Sequence, residues 1–264
     1  ILVNFEQYFS KICSNHTEMG SLNLKEKYEN KRPKYCGLPF DEILLFDVEL
    51  VDKCVRSLNR GKAAGLDSLT SEHLLHCHPA LFTLLKKLFN LMISAGYVPN
   101  GFGLSYTVPL QKDSNRGSKS LTVDDFRGIS ISPVLSKVLE HCILDRFSSY
   151  FGTSDNQFGF KKAMGCSHAI YSARCIISHY VAGGSTVNLC ALDISKAFDR
   201  MCHAGLYVKL MNRLVPVELL VIIENWFSKC FTCVKFMSAL SVFFSYIVEY
   251  GWEECCLLTF LRCT

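Results

Sequence analysis

The stretch CALDISKAFDR, residues 190–200, carries the residue types best suited to phosphoryl chemistry. An apolar run, TVNLCALDI, ends in the carboxylate of Asp193, and a second aspartate, Asp199, follows just after Phe198. A carboxylate at a strand end, beside exposed backbone carbonyls, is a natural magnesium ligand because hard cations take oxygen donors. Nucleotidyl transfer uses two such ions, one activating the attacking hydroxyl and one holding the leaving pyrophosphate. An aspartate after a buried strand is also a common helix cap. The residues alone leave both roles open. Basic residues gather at 30–35, 60–62, 111–119 and 161–162, where they would either meet phosphates or face solvent. Two groupings hint at zinc: Cys230 and Cys233 in a CxxC, and the run His76, Cys77, His78. No second CxxC follows at finger spacing, and adjacent residues on a helix point in different directions, which argues against a metal–thiolate site.

The elements that must position these residues are legible from periodicity. A helix is expected over about 47–60, with Asp47 as its cap and Leu50, Val51, Cys54, Val55 and Leu58 on one face. After the glycine-containing turn RGKAAGLD, a helix starts near Ser71, breaks at Pro79 and resumes over 80–95, where Gly96 should end it in a left-handed cap. Alternation predicts strands at about 104–110 and 125–131, a hairpin with a long basic tip. Ser132 and Pro133 should open a helix running to Gly152, and a loop carrying QFGF should lead to a helix over 167–180. A buried strand at 187–193 is then expected beside a terminal hairpin formed by FTCVKF and FFSYIVEY, with helices at 203–212 and 216–228 between them. This order is α+β.

Composition narrows the classes. The chain has 264 residues, 49% of them hydrophobic, enough for one large domain or two small ones. A formal charge of +4 is too mild to require a nucleic-acid partner by itself. Fourteen cysteines would suit a secreted scaffold, yet ILVNFEQYFSKICS is no signal peptide and several cysteines sit inside apolar patterns. A reducing, intracellular location follows, cytoplasmic or nuclear, with no disulfide-linked partner. The longest apolar stretch, within 238–248, is broken by serines and too short to span a bilayer, so no membrane partner is expected.

LDISKAFDR resembles the first catalytic motif of reverse transcriptases from non-LTR (LINE-type) retrotransposons, and the likeness extends along the chain. NRGKAAGLDSL resembles that family's KAPGPDGI element, with Ala64 where proline is usual. SYTVPLQK is similar to its first fingers strand, and DDFRGISISPVLSKVLE to its NYRPISLLSVLSKVLE, with Gly128 for proline. QFGFKKAMGCSHAI is similar to QFGFRKGRSTTDAI. The matches keep the family order over roughly residues 45–235.

The resemblance implies a right-hand polymerase fold with fingers and a partial palm, the thumb missing. It implies RNA-directed DNA synthesis by two-metal nucleotidyl transfer, with Mg2+ as cofactor and an RNA template, a DNA primer and deoxynucleotides as partners. By position, Asp193 matches the metal-binding aspartate and Ile194 the residue whose carbonyl also meets the ion. Phe198 matches the aromatic gate against a ribose 2′-hydroxyl, and Lys112 and Arg127 match fingers residues that grip the triphosphate. Gln157, Phe158 and Gly159 match an element near the template strand, and Asp199 is given a structural role. Residues 1–60 are expected as a helical linker and 61–264 as the reverse-transcriptase domain, with fingers over about 61–185 and partial palm over about 186–250.

The pattern then departs from the family. After Gly251 the chain reads WEECCLLTFLRCT, where the family has GVRQGGVLSPYLF and, shortly after, a turn with two adjacent aspartates. Codons for this tail, read from the third base of the tryptophan codon, can spell G-G-V-L-S-P-Y-L-F-A-L-Y, so residues 252–264 are expected to be a frameshifted copy of that motif. An incomplete metal site is expected to leave the chain inactive as a polymerase. The alternative is a non-catalytic nucleic-acid-binding remnant or pseudogene product.

Overall fold

The computed structural model describes residues 1–14, 19–112, 121–152, 155–159, 161, 164–192 and 202–245, with the side chains of 12–14 and 19–21 left aside. In chain order the elements are α1 (Leu2–Ser14), α2 (Met19–Lys31), α3 (Val48–Arg56), α4 (Ser71–Leu75), α5 (Ala80–Ala95), β1 (Leu104–Gln111), β2 (Phe126–Ile131), α6 (Val134–Arg146), α7 (Cys166–Ala182), α8 (His203–Asn212), α9 (Val217–Phe227), β3 (Phe231–Phe236), β4 (Ala239–Leu240) and β5 (Phe244–Ser245). Short 3₁₀ turns link several of them. The α+β expectation holds.

The core lies among α3, α5, α6, α8 and α9. Asp47 caps α3 as its position suggests: its carboxylate accepts from Leu50 N at 2.7 Å, satisfying one of the helix's orphan donors. Leu50, Val51, Cys54 and Val55 then face inward on one stripe. On α5 the buried set is Phe82, Leu85, Phe89, Met92 and Ile93, and Gly96 ends the helix at φ +60°. Phe89, Ile143, Leu210, Leu219 and Trp226 are fully enclosed, and the Trp226 indole N–H reaches the Phe102 carbonyl at 3.4 Å. Residues 28–32 dock on α9, where Arg32 forks onto Glu224 at 2.8 and 3.0 Å and Tyr28 donates to the same carboxylate at 2.8 Å. Burial first, and then that carboxylate, push the Tyr28 phenol up to about 12.

The sheet departs from expectation in an instructive way. β1 and β2 form the expected antiparallel hairpin, with Leu110 opposite Arg127 and Val108 opposite Ile129. β3, however, lies parallel to β1, with Tyr106 beside Cys233, so the terminal hairpin extends the first hairpin rather than a separate palm sheet. β4 and β5 return antiparallel along β3, in registers offset by one residue. Ser241 absorbs the offset: its N–H bonds Val234 O and its hydroxyl accepts from Val234 N, both at 2.9 Å, as at a β-bulge. The expected strand at 187–193 is absent from its described part, residues 187–192. Leu189 and Leu192 stand 74% and 90% exposed, and a run with no neighbouring ladder has nothing to make it a strand. The helix expected to reach Gly152 stops at Arg146, and residues 148–151 tighten into a 3₁₀ turn.

Candidate nucleotide and nucleic-acid site

Strand alternation decides which side chains of the sheet can meet a ligand. One face carries Thr107, Phe126, Gly128, Ser130, Thr232, Val234 and Phe236. α1 covers it. The Phe5 ring sits 4.9 Å from Phe126, edge on, and 5.6 Å from Phe236, while Tyr8 donates to Asp124 at 2.7 Å. A Cβ on Gly128 would fall 2.9 Å from the Phe9 ring and 2.8 Å from Thr107 Cγ2, so the glycine is what lets α1 approach. Beneath it, the hydroxyls of Ser130, Thr107 and Thr232 bond one another at 2.8 and 3.1 Å across three strands. A buried row of this kind is tolerable because each hydroxyl satisfies the next.

The opposite face carries Tyr106, Val108, Leu110, Arg127, Ile129, Cys233 and Lys235, and Lys112 continues it one position past β1. Lys112 and Arg127 are thus brought to one face, with Arg127 exposed beside Leu110. The Lys112 backbone prolongs the ladder by donating to Asp125 O at 2.9 Å, and its Nζ donates to Asp124 O at 2.6 Å. An ammonium has three N–H donors, so this bond orients the group and leaves two for a ligand. The adjacent carboxylates Asp124 and Asp125 serve structure here: Asp125 accepts from Thr122 N and Oγ1 at 3.0 and 2.9 Å, and Asp124 holds Tyr8. Lys235 joins the same face, its ammonium 4.8 Å from the centre of the Tyr106 ring. The sequence reading missed Lys235, although the parity of FTCVKF places it with the inward Cys233.

Asp193, Ile194, Phe198 and Asp199 lie outside the described residues. Gln157, Phe158 and Gly159 are described, in the loop before α7, where Gln157 Nε2 donates to Gly159 O at 3.3 Å. Among the described residues no group of three or more His, Cys, Asp or Glu side chains could hold a metal. Cys230 and Cys233 are both buried, their thiols directed to the carbonyls of Trp226 and Ser105, as small apolar side chains with weak donors. The ten cysteines whose side chains are described are all free thiols. No helix among the described residues is long and apolar enough to cross a membrane.

No family model matches the chain. Individual proteins do. It is 29% identical over 253 residues to an RNA-directed DNA polymerase from the mobile element jockey of Drosophila funebris, covering 89% of this chain and 26% of that protein. It is 26% identical to the probable RNA-directed DNA polymerase from transposon X-element of Drosophila melanogaster, over 73% of this chain and 21% of the relative. The Pol polyprotein of the type-2 retrotransposable element R2DM from the same fly matches at 26% over 54% of this chain and 13% of its own length. The chain therefore spans about a quarter or less of the length of these curated relatives.

Proposed function

We propose that this chain, which belongs with the reverse-transcriptase domains of non-LTR, LINE-type retrotransposons, uses the exposed outer end of its β1–β2 hairpin to grip the triphosphate of an incoming deoxynucleotide. The observation that carries this is the register pairing Leu110 with Arg127, which sets that guanidinium and Lys112 at the exposed outer end of the sheet face opposite α1. A guanidinium can take two phosphate oxygens at once and an ammonium a third, which suits a triphosphate better than a single carboxylate. In this proposal the hairpin belongs to the fingers, Asp193 and the Ile194 carbonyl hold Mg2+, and Phe198 screens the sugar. Gln157, Phe158 and Gly159 lie toward the template, and the activity is RNA-directed DNA synthesis. Bound magnesium would lower the charge barrier between an attacking hydroxyl and a phosphate.

One carboxylate is too few for a two-ion site. The polypeptide as it stands is therefore proposed to bind nucleotide and nucleic acid without completing transfer. The test is primer extension on an RNA template with magnesium and deoxynucleotides. The expected result is no product above a no-protein control; templated extension that vanishes in Asp193→Asn would overturn the inactivity and support a working polymerase.

A further inference from the structure

Two thiols meet where α3 packs against α6. Polar contacts at the margin of that interface fix its register. Lys53 Nζ on α3 reaches Asp145 Oδ2 on α6 at 2.5 Å, and Ser57 Oγ and His141 Nδ1 stand 3.1 Å apart. As α3 advances from Lys53 to Ser57, its partner on α6 retreats from Asp145 to His141, so the two helices run antiparallel here. Cys54 and Cys142 lie between these two bonded pairs, and their side chains share a hydrogen bond across the interface. At interaxial distances of about 8–10 Å, directly opposed Cα atoms of two helices can fall within the span of roughly 4.4–6.8 Å that a disulfide bridges.

The two thiols are not equivalent. Cys142 is fully enclosed, whereas Cys54 keeps 4% of its surface. The hydrogen bond from Cys142 holds the Cys54 thiol below its ordinary value, and that same bond, together with burial, pushes Cys142 up. A thiol that ionises more readily and keeps a little exposure, backed by a second thiol in contact with it, is the arrangement of an attacking and a resolving cysteine. The segment between them holds α4, α5, β1 and β2, so a bond joining them would close one long loop around the hairpin.

We infer that Cys54 and Cys142 are a peroxide-responsive pair whose oxidation to a disulfide locks α3 to α6. The Cys54 sulfur attacks one oxygen of hydrogen peroxide, the O–O bond breaks, and water leaves behind a sulfenic acid on Cys54. The Cys142 sulfur then attacks the Cys54 sulfur, the S–O bond breaks, and the hydroxyl departs with the Cys142 proton as a second water. Two thiols thus lose two electrons, and one peroxide is reduced to two waters. This lock is independent of the polymerase reading and stands whether or not the chain binds nucleotide.

The experiment treats the folded full chain with about one equivalent of hydrogen peroxide, alkylates the remaining thiols and maps the peptides without reduction. The expected product links the peptide carrying Cys54 to the peptide carrying Cys142, ahead of any link involving the exposed Cys36, Cys166 or Cys175. Its formation should raise the thermal midpoint by roughly 5–15 °C, and dithiothreitol should reverse the shift. In Cys142→Ala the midpoint should no longer respond, and dimedone should trap a sulfenic acid on Cys54. Recovery of Cys54 and Cys142 as unmodified thiols while the exposed cysteines are oxidised would overturn the inference. So would a link between them that forms only after the chain has been unfolded, or one that leaves the midpoint unchanged. The mapping is made on the wild-type chain, so it decides the matter even if the alanine variant fails to fold.

Discussion

The β1–β2–β3 sheet and the α7 region are both rich in apolar residues, yet the structure treats them oppositely. One sheet face is closed by α1 and its aromatic rings, and the other keeps its cations outward. α7 buries no residue at all: Ile170, Tyr171, Ile176, Tyr180 and Val181 are each more than half exposed, and the run after it leaves Leu189 and Leu192 in solvent. Alternation can be used only where a neighbouring strand supplies a ladder and a facing element supplies cover. The sheet has both, and among the described residues the segment from α7 to Leu192 has neither.

The contrast can be broken most forcefully by truncating each region in turn. Trp226→Ala removes the largest fully buried side chain and should cost about 3–5 kcal/mol, enough to unfold much of a marginal domain. Ile176→Ala and Tyr171→Ser on α7 should stay within about 0.5 kcal/mol of the parent, as surface changes do. Denaturant titration measures both. A cost on α7 comparable to that at Trp226 would mean that the helix packs against something.

A smaller effect is expected at Glu140, an enclosed carboxyl on α6 whose burial pushes it up to about 8, opposed by the charge of Lys137. Its folded value lies above the ordinary carboxylate value, so the folded state holds the proton more tightly. Stability from this group is complete below about pH 4.5 and is lost as pH rises toward 8. Glu140→Gln, which mimics the protonated form, should be more stable than the parent at pH 7 by on the order of 2–3 kcal/mol. The difference should close near pH 4 when unfolding is followed across pH. A gap that stays constant with pH would show that the carboxyl is ionised in the fold.

At the sheet, Gly128→Ala should cost about 1–3 kcal/mol through its clash with Phe9 and Thr107. Phe9→Ala should relieve part of that, so the double variant should be less destabilised than the sum of the singles. Strict additivity would place α1 away from the hairpin.

These outcomes bear on what the sequence could convey. Helices with one-sided apolar stripes and explicit caps, such as α3 behind Asp47 and α5 before Gly96, were legible because the signals are local. The hairpin was legible for the same reason. The parallel joining of β1 to β3 was not, since the contact bridges more than a hundred residues and leaves no mark in either strand's own pattern. Nor was the α1 cover, which depends on an aromatic ring reaching the bare backbone of Gly128. The expected strand at 187–193 failed from the reverse cause: a strong local pattern, and no partner among the described residues.

The measurement that bears most directly on the proposed site is a deoxynucleoside triphosphate titration of the full chain against Lys112→Ala, Arg127→Ala and Lys87→Ala. Lys87 is an exposed lysine on α5, outside the hairpin, and serves as the control for charge alone. Each hairpin variant should weaken binding about tenfold or more, as expected for loss of a charge-assisted hydrogen bond, while Lys87→Ala leaves it unchanged. Binding that is insensitive to Lys112 and Arg127, or equally sensitive to Lys87, would contradict the hairpin as the triphosphate grip.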